Sequence, residues 1–79
     1  MSTDPLKNIP LRLCRKFLLS QGCKHTRTKG GHEHWTKSDL LRPISLQTHI
    51  DPVPARIMKQ VLNSLGIDKK DFQKILKTL

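Results

Sequence analysis

Apolar residues recur at helical spacing early in the chain. Leu11, Cys14 and Leu18, flanked by Leu13 and Phe17, share one face, and Arg12, Arg15, Lys16 and Gln21 take the other. Pro10 suits a first helical turn, where its missing N–H would be unpaired anyway, and Gly22 suits the left-handed position after the last. The pattern predicts a helix over about 10–21, preceded by a polar stretch, 1–8, containing Pro5 and expected to be a loose terminus. The period then changes. Residues 23–29 and 32–37 read as strands around Gly30-Gly31, a signal for a two-residue primed turn whose positive φ glycine adopts cheaply. With those glycines as the loop, Lys29 pairs with His32, Thr28 with Glu33, Arg27 with His34 and Thr26 with Trp35. One hairpin face then carries His25, Arg27, Lys29, His32 and His34, and the other carries Thr26, Thr28, Glu33 and Trp35.

Ser38-Asp39 opens a second turn, and residues 41–47 read as a third strand with Ile44 and Leu46 on the face of Arg42. Pro43 cannot donate to a ladder, so this strand lies at an edge or starts late. A loop over 48–54, stiffened by Pro52 and Pro54, leads to a helix over about 54–65 whose stripe of Ile57, Met58, Val61, Leu62 and Leu65 stops at Gly66. Asp68 caps a last helix with Asp71 three residues on, and Phe72, Ile75, Leu76 and Leu79 are its expected buried side. The order α-β-β-β-α-α predicts a two-layer α+β domain over 9–79, with a three-stranded antiparallel sheet and helices on one face. That order is also that of the double-stranded-RNA-binding fold.

Composition narrows the function. With 79 residues the core is modest and a deep enclosed substrate cavity is not expected, so function sits on the surface. Fifteen Lys and Arg against six Asp and Glu give a formal charge of +9, which favours polyanionic partners, nucleic acid first. No long apolar run, basic helix with a bulky aromatic face or signal peptide is evident, so the expected location is the cytoplasm. Cys14 and Cys23 suit small buried residues in a reducing compartment. Cys23, His25, His32 and His34 lack Cys-x-x-Cys or His-x-x-x-His spacing and sit among Lys24, Arg27 and Lys29, which would repel a dication; neither metal nor cofactor is expected.

His32 is the candidate for chemistry. An imidazole emerging from a tight turn among cations can move protons, with Lys29 and Arg27 beside it, and Lys24 along the strand, as phosphate contacts. His34 shares the face as a second proton-transfer group or substrate contact, while His25 reads as a strand residue and His49 as ordering its loop. Trp35, on the opposite face, reads as core. Arg12, Arg15, Lys16, Lys24, Lys37 and Arg42 are candidates for a diffuse phosphate footprint. On spacing alone the competing reading is a turn-exit histidine on a solvated basic hairpin.

A resemblance weighs against that plainer reading. In order along the chain, Leu18 to Gly22, Arg27-Thr28-Lys29, Gly30-Gly31-His32 with Trp35, Leu46 to His49, Ile57 to Gly66 and Ile67 to Phe72 resemble the HicA-type toxins of bacterial type II toxin–antitoxin modules. Those proteins have a helix ending in glycine, a basic strand, a Gly-Ser-His turn with a following aromatic, a strand leading to Pro-x-His, then a helix and a short closing segment. The resemblance implies a double-stranded-RNA-binding-like fold, metal-independent endoribonuclease activity on mRNA, His32 as the catalytic residue, and a HicB-type antitoxin partner. Gly31 stands where serine is commoner and Gln47 where proline is usual. Gly31 preserves the turn but lacks a hydroxyl that would help orient phosphate. The alternative is a non-catalytic RNA-binding module using the same basic sheet face.

Overall fold

The computed structural model describes residues 5–79. Its elements are α1 (Leu11–Ser20), β1 (Lys24–Lys29), β2 (His32–Thr36), β3 (Ile44–Gln47), α2 (Ala55–Leu65) and α3 (Lys69–Leu76), in the expected order α-β-β-β-α-α. The strands form one open antiparallel sheet in the order β1-β2-β3. Burial alternates along β2 and β3, where Glu33, Trp35, Ile44 and Leu46 are covered and their neighbours are not. The covered side shares one core with Cys14, Phe17 and Leu18 of α1, Met58, Val61 and Leu62 of α2, and Phe72 of α3. Phe17 and Phe72 meet edge to face at 4.8 Å between ring centroids, locking the first helix to the last.

The helix ends follow their local chemistry. After α1, the Cys23 amide donates to the Leu18 carbonyl and the Gly22 amide to that of Leu19, with Gly22 at φ 84°. This paired closure satisfies two orphan carbonyls and requires the left-handed residue that glycine supplies. The end of α2 repeats it with Ile67, Gly66, Leu62 and Asn63. The Asp68 side chain accepts from the Asp71 amide at 2.8 Å and caps α3.

Several details differ from the sequence reading. Residues 1–4 of the stretch expected to be loose lie outside the described residues; Leu6 of that stretch is buried in the core. Strand β3 begins only at Ile44, after Pro43, and Leu41 is fully exposed. Pro43 has no N–H to offer β2, so pairing starts one residue later. Leu79 is exposed, beyond the last turn of α3, and the buried side of that helix rests on Phe72 with Ile75 and Leu76 partly covered.

Loop 48–54 is held at several points. The Thr48 amide donates to the Gly31 carbonyl at 2.8 Å, and the Val53 amide to that of Ile9, also at 2.8 Å. The Asp51 carboxylate accepts the Leu11 amide at 2.9 Å, supplying the first turn of α1 with the cap that Pro10 cannot give. Two prolines stiffen this loop; these bonds fix where it sits, against the glycine turn.

Candidate active site

Gly30 and Gly31 have φ of 59° and 78°, the two positive values that a type I′ turn needs. Lys29 and His32 close the hairpin as partners, which places their Cβ atoms about 5 Å apart. His32 is half-buried, and its Nδ1 lies 3.2 Å from the Gly30 carbonyl. A carbonyl only accepts, so Nδ1 carries the hydrogen, and in the neutral ring Nε2 keeps its lone pair. That is the tautomer a general base requires.

The register agrees with expectation from the turn as far as Arg27, which faces His34, and then shifts. Thr26 does not pair with Trp35. A bulge between His25 and Arg27 leaves His25 opposite Trp35 and Lys24 opposite Thr36. An extra residue in one strand reverses the alternation beyond it, so two expected positions change face. His25 moves to the Trp35 face, where it stays exposed with its ring 5.4 Å from that of Trp35 and its Nε2 sharing a 2.9 Å hydrogen bond with Thr28 Oγ1. Lys24 moves to the open side. That side therefore carries Lys24, Arg27 and Lys29 on β1 beside His32 and His34 on β2. The Thr26 hydroxyl donates to the His34 carbonyl at 3.0 Å and secures the bulge.

Beneath this face lies an ion pair that the sequence pattern did not disclose. Glu33, only 6% exposed, accepts from Arg15 Nε at 3.1 Å and from the same guanidinium's Nη2, and Trp35 Nε1 donates to it at 3.1 Å. The Arg15 bonds hold the Glu33 carboxyl below the usual carboxylate range, against burial, which pushes it up, and the Trp35 bond adds to the lowering. Arg15 is thus committed to anchoring β2 on α1 and leaves the phosphate footprint. Lys37 is also engaged, at 3.8 Å from Asp39. A lone carboxylate on an apolar strand face was the available signal, since a buried charge requires a partner.

His49 is the second residue whose place the sequence did not give. A side-chain carbon on Gly31 would sit 3.4 Å from His49 Nδ1 and 3.5 Å from its Cε1. The Thr48 hydroxyl donates to the Gly31 carbonyl at 3.1 Å, beside the amide bond already noted. His49 therefore lies directly against the glycine turn that precedes His32. Gly31 is constrained by its φ, and a side-chain carbon there would touch this ring at ordinary van der Waals distance. Gly31→Ala is expected to cost about 1 kcal/mol of stability from the positive φ, read in solution as a fall in melting temperature, with the new methyl shifting the NMR signals of the adjoining His49 ring.

A groove of about 230 Å³ opens beside His32, between β3, loop 48–54 and the start of α2. The cysteines stand apart from this chemistry. Cys14 and Cys23 are free and buried, and burial pushes the Cys14 thiol up to about 12 and that of Cys23 upward as well, so neither is a nucleophile near neutrality. Among the described residues, no three His, Cys, Asp or Glu side chains converge as metal ligands, and no helix is long and apolar enough to cross a membrane.

No known family model, curated protein or solved structure matches the chain. The functional reading therefore rests on the turn, the basic face and the chemistry they allow.

Proposed function

We propose that this protein is a metal-independent endoribonuclease acting on mRNA as the toxin of a HicA-type module, held in check by an acidic HicB-type antitoxin. The observation that carries the reading is His32: an imidazole at the exit of a diglycine turn, its Nδ1 occupied by the Gly30 carbonyl and its Nε2 left as acceptor, on a face shared with Lys24, Arg27 and Lys29. In the proposed reaction Nε2 takes the proton of a ribose 2′-hydroxyl. The freed oxygen attacks the adjacent phosphorus, and the 5′-oxygen leaves with a proton from a second imidazole. Two imidazoles are the candidates for that return, His34 on the same face and His49 against the turn. Lys29 and Arg27 offset the charge that builds on the phosphoryl oxygens.

The products are a 2′,3′-cyclic phosphate and a 5′-hydroxyl. The test is incubation of purified protein with RNA in excess chelator, followed by analysis of the new ends. Cleavage giving those ends supports the reading; binding without cleavage favours an RNA-binding module on the same face. In either case Lys29→Ala is expected to weaken RNA binding and to flatten the dependence of log affinity on log salt by about 0.7, the share of one phosphate contact on a single strand. Titrations at several salt concentrations measure this, and an unchanged slope removes Lys29 from the interface.

A further inference from the structure

The groove beside His32 differs in character from the basic hairpin face. Its floor includes the buried Leu11, and its sides include the half-exposed Ile50 and Ile57. Two carboxamides, Gln47 at the end of β3 and Gln60 on α2, contribute to the lining, and neither side chain bonds another described residue. No acidic residue lines it. Apolar flanks with free amide groups suit a flat, heteroatom-edged ring: the flanks cover its faces, while carboxamides, each both donor and acceptor, meet its edge. A phosphate would be poorly served here and better served by Lys29, which pairs with His32 across the hairpin, and by Arg27. Gln47 is the cross-strand partner of His32, so a nucleotide seated in the groove would stand next in the strand to a phosphate at the turn.

We infer that this groove is a nucleobase subsite, in which Gln47 and Gln60 read the edge of an unpaired RNA base flanking the phosphate at His32 while Ile50 and Ile57 cover its faces. The inference rests on the proposed RNA-directed function but not on cleavage. A base held by two amide contacts is discriminated from its alternatives by about tenfold, equivalent to about 1.4 kcal/mol.

The test uses the full chain carrying His32→Ala, so that RNA is not consumed, titrated with tetranucleotide RNAs of A, C, G or U and followed by NMR. Expected are shifts of the Gln47 and Gln60 side-chain amides and the Ile57 methyl groups, with about tenfold spread in affinity among the four RNAs. Gln60→Ala should narrow that spread, and Ile57→Trp, which fills the groove, should abolish the amide shifts while leaving those of Lys29 and Arg27. Shifts confined to the hairpin, or equal affinity for all four RNAs, overturn the base subsite and leave the basic face standing. Absence of any RNA-induced shift overturns both. In cleaving protein the corresponding readout is the base flanking the cut, expected to be less selective in Gln60→Ala than in the parent.

Discussion

His32→Ala is expected to reduce RNA cleavage by about a hundredfold to ten-thousandfold, the usual loss on removing a positioned proton-transfer group. The fold should survive. His32 is only half-buried, its imidazole bonds the Gly30 carbonyl alone among the described residues, and the turn is set by the φ values of Gly30 and Gly31 rather than by the imidazole. Most RNA affinity should remain too, because Lys24, Arg27, Lys29 and His34 are untouched. Cleavage assays and growth after induction check the catalytic loss, and melting temperature with an RNA titration checks that the rest is intact. Cleavage at the parent rate would remove His32 from the chemistry. His34→Ala and His49→Ala then assign the second proton: the variant lacking the acid should show the larger loss of cleavage.

Arg15→Ala is expected to destabilise the domain by about 2 kcal/mol, a fall of roughly 10 °C in melting temperature for a chain of this size. The parent Glu33 carboxylate is buried and triply bonded, twice by Arg15. Without the guanidinium it keeps only the Trp35 N–H. The Arg15 side chain is 39% exposed, so water reaches the vacated position and the loss falls short of that for a fully enclosed pair. Arg15→Lys should recover only part, since an ammonium cannot match both carboxylate oxygens.

The pH dependence of the same variant has a definite sign. In the parent, the Glu33 carboxyl is held below its ordinary value of 4.5, so its stabilising contribution is complete above that pH and is lost as pH falls through the lowered value. In Arg15→Ala, burial acts with less opposition and pushes the carboxyl up, so that variant should gain stability on acidification. The gap in melting temperature between parent and variant should therefore narrow from pH 7 to pH 5. A constant gap would mean that the two residues are not coupled through charge. Since Glu33 lies between His32 and His34, the variant should also loosen the strand that carries both histidines.

Element order and type were legible because each segment carries its own pattern: apolar residues at period 3.6 in three helices, glycines at two helix ends, an aspartate cap, and a glycine pair that admits one tight turn. The pairing of Lys29 with His32 and of Arg27 with His34 follows from that turn, since a two-residue loop sets the register of the residues beside it. Burial of Trp35 followed as well, because alternation puts it opposite His32.

What escaped those local patterns depends on contacts between distant segments. The bulge at Thr26 has no marker in the residues around it. It turns the still exposed His25 toward the Trp35 face while bringing Lys24 onto the basic face. Arg15 and Glu33 are 18 positions apart and Asp51 and Leu11 are 40 apart, and charge alone does not say which of fifteen cations a buried carboxylate will meet. His49 reads as a loop residue until Thr48 is seen bonded to the Gly31 carbonyl. Local backbone preference thus sufficed for the turn and for His32, whereas the residues that orient and surround it are chosen by packing, which no single stretch of chain encodes.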